Sequence, residues 1–382
     1  MNPLVELQNF GQSPWYDNIQ RSMLRSGELE RMIREDGLKG VTSNPTIFEK
    51  AINGSKDYDD ALAHLLEHNP KQNSRDLFFS LAIEDIQQAA DLLRPVYDQT
   101  GGSDGMISLE VSPDLAHDTP STVAEARRLA ARVNRPNLMI KVPATKEGLP
   151  VITALIADGI NVNVTLLFSV ARYEEVIEAY IAGLELAHKN GKPLHKIASV
   201  ASFFVSRVDT LIDKLLDEKL KTAPPAQHVR IKNAQGKAAI ANAKLAYQSY
   251  ERYFSTPRFE QLRKAGAHAQ RLLWASTGVK NPAYSDVMYI EMLIGPDTVN
   301  TIPPATYKAF KEHGKVRSTL KDGVDEARAS LDLIQSLGIS IDAVTLQLED
   351  EGVESFLGSF KTLLTAIDSK VAAMTPQKRA SA

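Results

Sequence analysis

The chain predicts an α/β fold, a closed (β/α)8 barrel of the TIM type, with additional helices between strands six and seven and at the C-terminus. Eight short apolar runs alternate with longer stretches of helical periodicity, the order expected of βα units around a parallel sheet. Polar and ionisable residues gather near the carboxyl ends of those runs, the end at which barrels build their sites. No internal repeat and no low-complexity linker marks a second domain, so the 382 residues are read as one barrel domain, 1–382.

In chain order, the first strand is read in SPWYDNI from Ser13 and carries Asp17 beside Trp15, Tyr16 and Ile19. The second, LKGVTSNP from Leu38, is closed by Pro45, which leaves Asn44 at its carboxyl end. The third, GMISLEVS from Gly105, sets Ser108 and Glu110 on one face and Leu109 and Val111 on the other. The fourth, NLMIKVPA from Asn137, sets Met139, Lys141 and Pro143 against Ile140 and Val142. The fifth, INVNVTLLF from Ile160, has polar residues at Asn161, Asn163 and Thr165 with apolar ones between. The sixth, IASVASFFVSR from Ile197, and the seventh, RLLWASTG from Arg271, end with Ser202, Arg207 and Ser276. The eighth is DTVNTIPPAT from Asp297.

Among the helices, Ser121–Asn134 is expected to open on a Ser121 cap ahead of Glu125, and Ser169–Asn190 on Ser169. The Ala-rich, charged stretch Asp213–Gln270 reads as a helical insertion broken at Ala223-Pro224-Pro225 and Thr256-Pro257. Val324–Val371 holds two further helical stretches. The polar tail Met374–Ala382 is expected to fray.

Composition narrows the function classes. A net charge of -3 gives no footprint for nucleic acid or a membrane surface. The absence of cysteine excludes disulfides, thiolate metal sites and a Cys nucleophile. The N-terminus lacks the basic and apolar regions of a signal peptide, and no apolar run approaches the roughly 20 residues of a membrane span. A cytoplasmic enzyme is the expectation. His64 and His68 have helical spacing but no Glu between them in the metalloprotease pattern, and read as an exposed pair. P-loop, dinucleotide and serine-hydrolase motifs are missing. The run Leu348-Glu-Asp-Glu-Gly352 reads as a solvated helix end.

Lys141 is the most informative residue, because the interior of a parallel strand is normally apolar. An unpaired buried ammonium is costly, and its usual relief is loss of the proton, which leaves an amine able to attack a carbonyl. A structural lysine paired with a carboxylate is the other reading. The polar face of strand five suits a barrel interior that opens into a site better than a packed core. Glu110 then serves either as the partner of Lys141 or as a proton-transfer group. Arg207 and the turn Ser276, Thr277, Gly278, Lys280 lie where barrels often bind phosphate.

These residues resemble a known family. Gly40-Val-Thr-Ser-Asn-Pro-Thr-Ile-Phe48, Ile140-Lys-Val-Pro-Ala-Thr145, Asn161-Val-Asn-Val-Thr-Leu-Leu-Phe-Ser169 and Trp274-Ala-Ser-Thr-Gly-Val-Lys-Asn-Pro282 are similar to the signature regions of transaldolases. Ala343-Val-Thr-Leu-Gln-Leu-Glu-Asp-Glu-Gly-Val353 resembles the longer bacterial subfamily. The resemblance implies transfer of a dihydroxyacetone unit from sedoheptulose 7-phosphate to glyceraldehyde 3-phosphate, with no metal or cofactor. It implies Lys141 as the Schiff-base lysine, Asp17 as the acid/base at the C4 hydroxyl, and Glu110 with Thr165 around a proton-transferring water. Asn44, Asn163 and Ser202 would bind the hydroxyls of the ketol unit, and Arg207, Ser276 and Lys280 the phosphate. Two departures stand out: Phe203 and Ser206 replace the Pro and Gly of many relatives, and Gly278 stands where shorter relatives carry Arg, with Lys280 as the substitute. A Schiff-base aldolase that releases free dihydroxyacetone, and a catalytically silent sugar-phosphate binder, are the alternatives. Monomer and homodimer are both left open.

Overall fold

The computed structural model describes residues 2–374. Eight parallel strands close into a barrel in chain order, and all eight expected runs form strands. They are β1 (Gln12–Tyr16), β2 (Gly40–Val41), β3 (Met106–Glu110), β4 (Leu138–Pro143), β5 (Val162–Leu167), β6 (Ser199–Phe204), β7 (Arg271–Ala275) and β8 (Thr298–Ile302). β8 pairs back onto β1, with Trp15 opposite Thr301 and Tyr16 opposite Ile302. The interior of β3, β4, β5 and β6 is wholly buried, as parallel strands covered by helices require. No single helix among the described residues is long and apolar enough to cross a bilayer.

Several local expectations need correction. The helix read from Ser121 starts at Thr119, and its cap is Asp118, whose carboxylate accepts from the Ser121 N–H at 3.1 Å. Pro120 in the first turn marks that earlier start, because its missing N–H would be unpaired there anyway. Ser169 does cap its helix, Val170–Lys189, by accepting from the Arg172 N–H at 3.1 Å. Helix Ser206–Thr222 runs through Asp213 without a break, so the additional helices begin at Pro225. They are Pro225–Lys232, Ala238–Phe254 and Pro257–Lys264, separated at the expected prolines and also at residues 233–237.

The C-terminal part forms helices Val324–Ser336 and Ile341–Met374, bent by 89°. Met374 ends the second helix, and the rest of the expected tail lies outside the described residues. The 34-residue helix spans about 50 Å and crosses the carboxyl end of the barrel. Glu349 meets Arg172 at 3.4 Å on one side of the mouth. On the other, Thr46 and Ser359 share a hydrogen bond at 2.8 Å, and Lys370 pairs with Asp59 at 2.6 Å. The run Leu348–Gly352 is therefore the middle of a helix rather than a solvated end, with Leu348, Gly352 and Val353 buried. Leu166 explains the close approach. The register of β5 against β6 slips between Val164 and Leu167, and Leu166 takes a left-handed φ of 60°. A Cβ on Gly352 would stand 2.8 Å from a Leu166 methyl, so only glycine lets the helix sit this low without displacing it.

The amino end of the barrel is closed by polar contacts. Asp104, just before β3, accepts from Ser13 Oγ at 2.7 Å, Trp15 Nε1 at 3.0 Å and Arg271 at 2.9 Å. The carboxylate thus ties together the starts of β1 and β7 with the entry to β3. Asp104→Ala would leave the largely buried Arg271 cation unpaired, at a cost of about 3–5 kcal/mol. Urea unfolding followed by circular dichroism checks this; a loss under about 1 kcal/mol, the scale of an exposed pair, would refute it.

Candidate active site

Strand pairing puts the central groups in a row. Glu110 on β3 pairs in register with Lys141 on β4, and Lys141 with Asn163 on β5. One pleat higher, Pro143 pairs with Thr165. Lys141 is only 5% exposed. Its Nζ donates to the Ser43 carbonyl at 3.0 Å and lies 3.3 Å from Glu110 Oε2. The Glu110 contact is an ion pair without hydrogen-bond geometry, since that oxygen has no hydrogen-bond partner among the described residues. Lys141 is thus held beside a carboxylate, a contact that either role allows.

Asp17 follows β1 directly and is fixed by the Ile302 carbonyl, which accepts its N–H at 3.0 Å. Thr42 Oγ1 donates to Asp17 Oδ1 at 2.6 Å and also meets Thr301 Oγ1 at 2.6 Å. Asp17 keeps part of its surface open to the cavity yet lies deep within the barrel. Desolvation there pushes its carboxyl above the usual range, and the Lys141 charge and the Thr42 hydrogen bond pull the other way. Glu110 is raised for the same first reason, opposed by Lys141 and reinforced by the Asp17 charge. One cation therefore serves two buried carboxyl groups.

Lys141 and Asp17 form the floor of a cavity of about 440 Å3 at the carboxyl end of the barrel. Asp17, Asn44, Lys141, Thr165, Ser202, Arg207, Ser276 and Lys280 all line it. Asn163 does not, contrary to expectation. It is fully buried, donates to Ser108 Oγ at 3.0 Å and accepts from Ser202 Oγ at 2.7 Å, so it orients Ser202 from behind. Glu110 also stands behind Lys141, facing a small cleft beside Phe48 and Phe360. Asn44 spends its side-chain oxygen on capping helix Pro45–Asn53, through the Ile47 N–H at 2.9 Å. Thr165 Oγ1 is buried and has no partner among the described residues.

The opposite wall is cationic. Arg207 sits in the first turn of helix Ser206–Thr222, with its guanidinium 5.4 Å from the centre of the Phe204 ring. It makes no hydrogen bond or ion pair among the described residues, and burial lowers its pKa while Glu351 opposes the shift. A half-buried cation beside a helix N-terminus attracts an anion. Ser276 takes a left-handed φ of 56°, and its carbonyl and hydroxyl meet the N–H and hydroxyl of Ser206 at 3.0 and 2.9 Å. The departure at Ser206 thus supplies a second tie to Ser276. Phe203 points away, against Tyr173 and Trp274, and the pocket ring is Phe204. Lys280 stands close to the position of the missing arginine, since a Cβ on Gly278 would lie 4.0 Å from its Nζ.

Among the lining residues that escaped the sequence reading are Lys50, Thr301, Phe356 and, as the partner of Asp17, Thr42. Thr301 lies near the carboxyl end of β8 on the face of Val299, opposite Thr298 and Asn300, so no polar alternation marks it. Phe356 comes from the C-terminal helix, 6.0 Å from Lys141 Nζ, and nothing local marks it. His64 and His68 are exposed, and no group of metal-binding side chains occurs among the described residues.

Comparison with known proteins fits this geometry. The family described as Transaldolase/Fructose-6-phosphate aldolase matches residues 14–367. The chain is 46% identical over 378 residues to a transaldolase of Trichodesmium erythraeum, covering 98% of this chain and 99% of that one. It is 49% identical over 375 residues to a transaldolase of Thermobifida fusca, covering 98% and 100%. It is 48% identical over 376 residues to a protein named transaldolase 2 of Streptomyces avermitilis, covering 98% and 99%.

The shared cation leads to a pH prediction. Lys141→Met removes the charge that holds Asp17 and Glu110 down, so both carboxyls titrate at still higher pH. A carboxyl raised in the folded state binds more protons there than in the unfolded chain, so stability falls as pH rises through the raised range. The variant should lose stability toward neutral pH more steeply than the parent, with a larger protonated-carboxyl infrared band. Unchanged carboxyl titration would contradict the coupling.

Proposed function

We propose, from the premise that this chain belongs to the transaldolase family, that Lys141 is the amine through which it works. The activity is that of a transaldolase, a transferase of aldehyde and ketone residues acting on phosphorylated sugars. It moves a dihydroxyacetone unit through a lysine Schiff base in the non-oxidative pentose phosphate pathway. The observation that supports the assignment to Lys141 is its burial between two carboxyl groups, at the floor of a cavity whose opposite wall carries an unpaired Arg207.

The steps follow from the positions of the side chains. Lys141 must shed a proton before Nζ can attack, and Glu110 at 3.3 Å is the nearest carboxylate to take it. Attack on the ketone carbon forms a carbinolamine, and loss of water gives the protonated imine. Thr165 Oγ1 and Glu110 Oε2 are buried without hydrogen-bond partners, which suits them to hold the water that relays these protons. Asp17, oriented by Thr42, takes the C4 hydroxyl proton; the C3–C4 bond breaks, and its electrons flow into the imine. The leaving aldose phosphate carries the new carbonyl, and the enamine stays on Lys141.

The acceptor aldehyde then repeats these steps in reverse. Ser202 and Asn44 hold hydroxyls of the ketol unit, with Asn163 acting through Ser202. Arg207, Ser276 and Lys280 hold the phosphate, consistent with sedoheptulose 7-phosphate as donor and glyceraldehyde 3-phosphate as acceptor, giving erythrose 4-phosphate and fructose 6-phosphate. A cytoplasmic location fits substrates whose charge keeps them from crossing membranes.

Borohydride reduction in the presence of fructose 6-phosphate should leave a three-carbon adduct on the peptide that contains Lys141, and Lys141→Ala should abolish both adduct and transfer with unchanged circular dichroism. Absence of that adduct would overturn the assignment. Asp17→Asn should lower kcat by about 10²–10⁴-fold, as loss of a positioned acid/base does. Rapid release of free dihydroxyacetone without an acceptor would favour the aldolase alternative.

A further inference from the structure

The loop after β7 carries Ser276 and Lys280, yet from residue 276 to 287 it has neither helix nor strand. Its anchors are two carboxylates one turn apart on helix Ser206–Thr222. Asp213 accepts from the Tyr284 hydroxyl at 2.7 Å and from the Gly236 N–H at 2.9 Å. Asp209 accepts from the Tyr289 hydroxyl at 2.9 Å and from the Ala239 N–H at 2.8 Å. Each carboxylate thus ties one tyrosine, Tyr284 in the loop or Tyr289 in the short helix Met288–Glu291 that follows it, to one backbone N–H of the inserted segment. Gly236 has a φ of +66°, and a Cβ there would stand 2.7 Å from the Tyr284 ring, so the insertion presses bare backbone against that ring.

The same helix carries Arg207, two residues before Asp209. One rigid element therefore holds both the guanidinium and the anchors of the loop that faces it. Lys280 lies at the boundary between the active-site cavity and a second cavity of about 430 Å3 walled by Asp209, Asp213 and Tyr284. Asp217 and Glu218 also line that cavity, but all four carboxylate oxygens of Asp209 and Asp213 already accept a donor, so those two acids compete weakly for the Lys280 ammonium. It makes no ion pair among the described residues and is left to face the substrate cavity.

We propose that Asp209 and Asp213, through Tyr289 and Tyr284, are positioning residues that set the distance from Lys280 and Ser276 to Arg207 and so determine affinity for the phosphate end of the sugar. The inserted helices are, on this view, the abutment of that loop. The inference rests on the phosphate-binding assignment made above.

Tyr284→Phe removes one hydroxyl and keeps the ring. It should raise KM for fructose 6-phosphate and Ki for inorganic phosphate together, by roughly tenfold, while kcat stays within about twofold. Tyr289→Phe, which loosens the loop from its deeper side, should show the same split and guards against a folding defect in the first variant. In a Lys280→Ala background, Tyr284→Phe should add less than about twofold, because the group it positions is gone. An unmoved KM in both tyrosine variants, or a full tenfold effect without Lys280, would overturn the proposal. Borohydride adduct formation at saturating fructose 6-phosphate separates the two levels. Adduct in parent and variants with unmoved KM overturns only the positioning role, whereas no adduct in the parent overturns the catalytic reading beneath it.

Discussion

A single ammonium held among buried carboxyl groups constrains the rest of the site. Lys141 and Glu110 are adjacent in the β3–β4 register, and Asp17 reaches the same charge from β1. Neither acid could remain ionised at that depth without a cation, and the cation would be equally costly without them. The arrangement places the proposed nucleophile, proton acceptor and second acid/base within one electrostatic unit. Several of the surrounding polar groups are spent on holding it, Thr165 Oγ1 and Glu110 Oε2 being left without hydrogen-bond partners among the described residues. Ser43 offers its carbonyl to Lys141, Thr42 its hydroxyl to Asp17, and Asn163 both ends of its amide to Ser108 and Ser202.

The scaffold protects this unit from two directions. At the amino end, Asp104 locks the starts of β1 and β7, and the barrel interior above it holds hydrogen-bonded polar side chains such as Asn163 on Ser108. At the carboxyl end, the helix Ile341–Met374 lies across the mouth and brings Phe356 toward Lys141. Its depth depends on a backbone irregularity in β5 and on a residue without a side chain at position 352. A locally unfavourable φ at Leu166 is held by the packing around it.

Much of this was legible in the sequence because barrels write it locally. Apolar runs ending in polar residues marked all eight strands, and a lysine inside such a run marked the site. What stayed hidden depends on tertiary proximity. Phe356 and Gly352 look like ordinary helix residues until the last helix is seen to cross the mouth. The acids Glu349, Asp350 and Glu351 read as solvated, and Asp350 and Glu351 are exposed. The run reads as a helix end, however, whereas the spacing of Leu348, Gly352 and Val353 already describes the buried face of a continuing helix. Asn163, buried and bonded to Ser108 and Ser202, illustrates a related limit. Alternation puts it on the inner face, but depth along the barrel decides whether an inner residue reaches substrate or supports one that does. Ser121 lost the cap to Asp118 because a proline two residues later shifts the helix start.

The closed floor has a kinetic corollary. With the amino end tied by Asp104 and the cations Arg207 and Lys280 on the wall of one cavity, the proposed site offers one berth for a phosphorylated chain. The first aldose must vacate before the second can settle, so the two sugars take turns rather than meet. The three-carbon fragment left on Lys141 is then the only record of the first visitor, and a covalent bond is what keeps it from following its partner out.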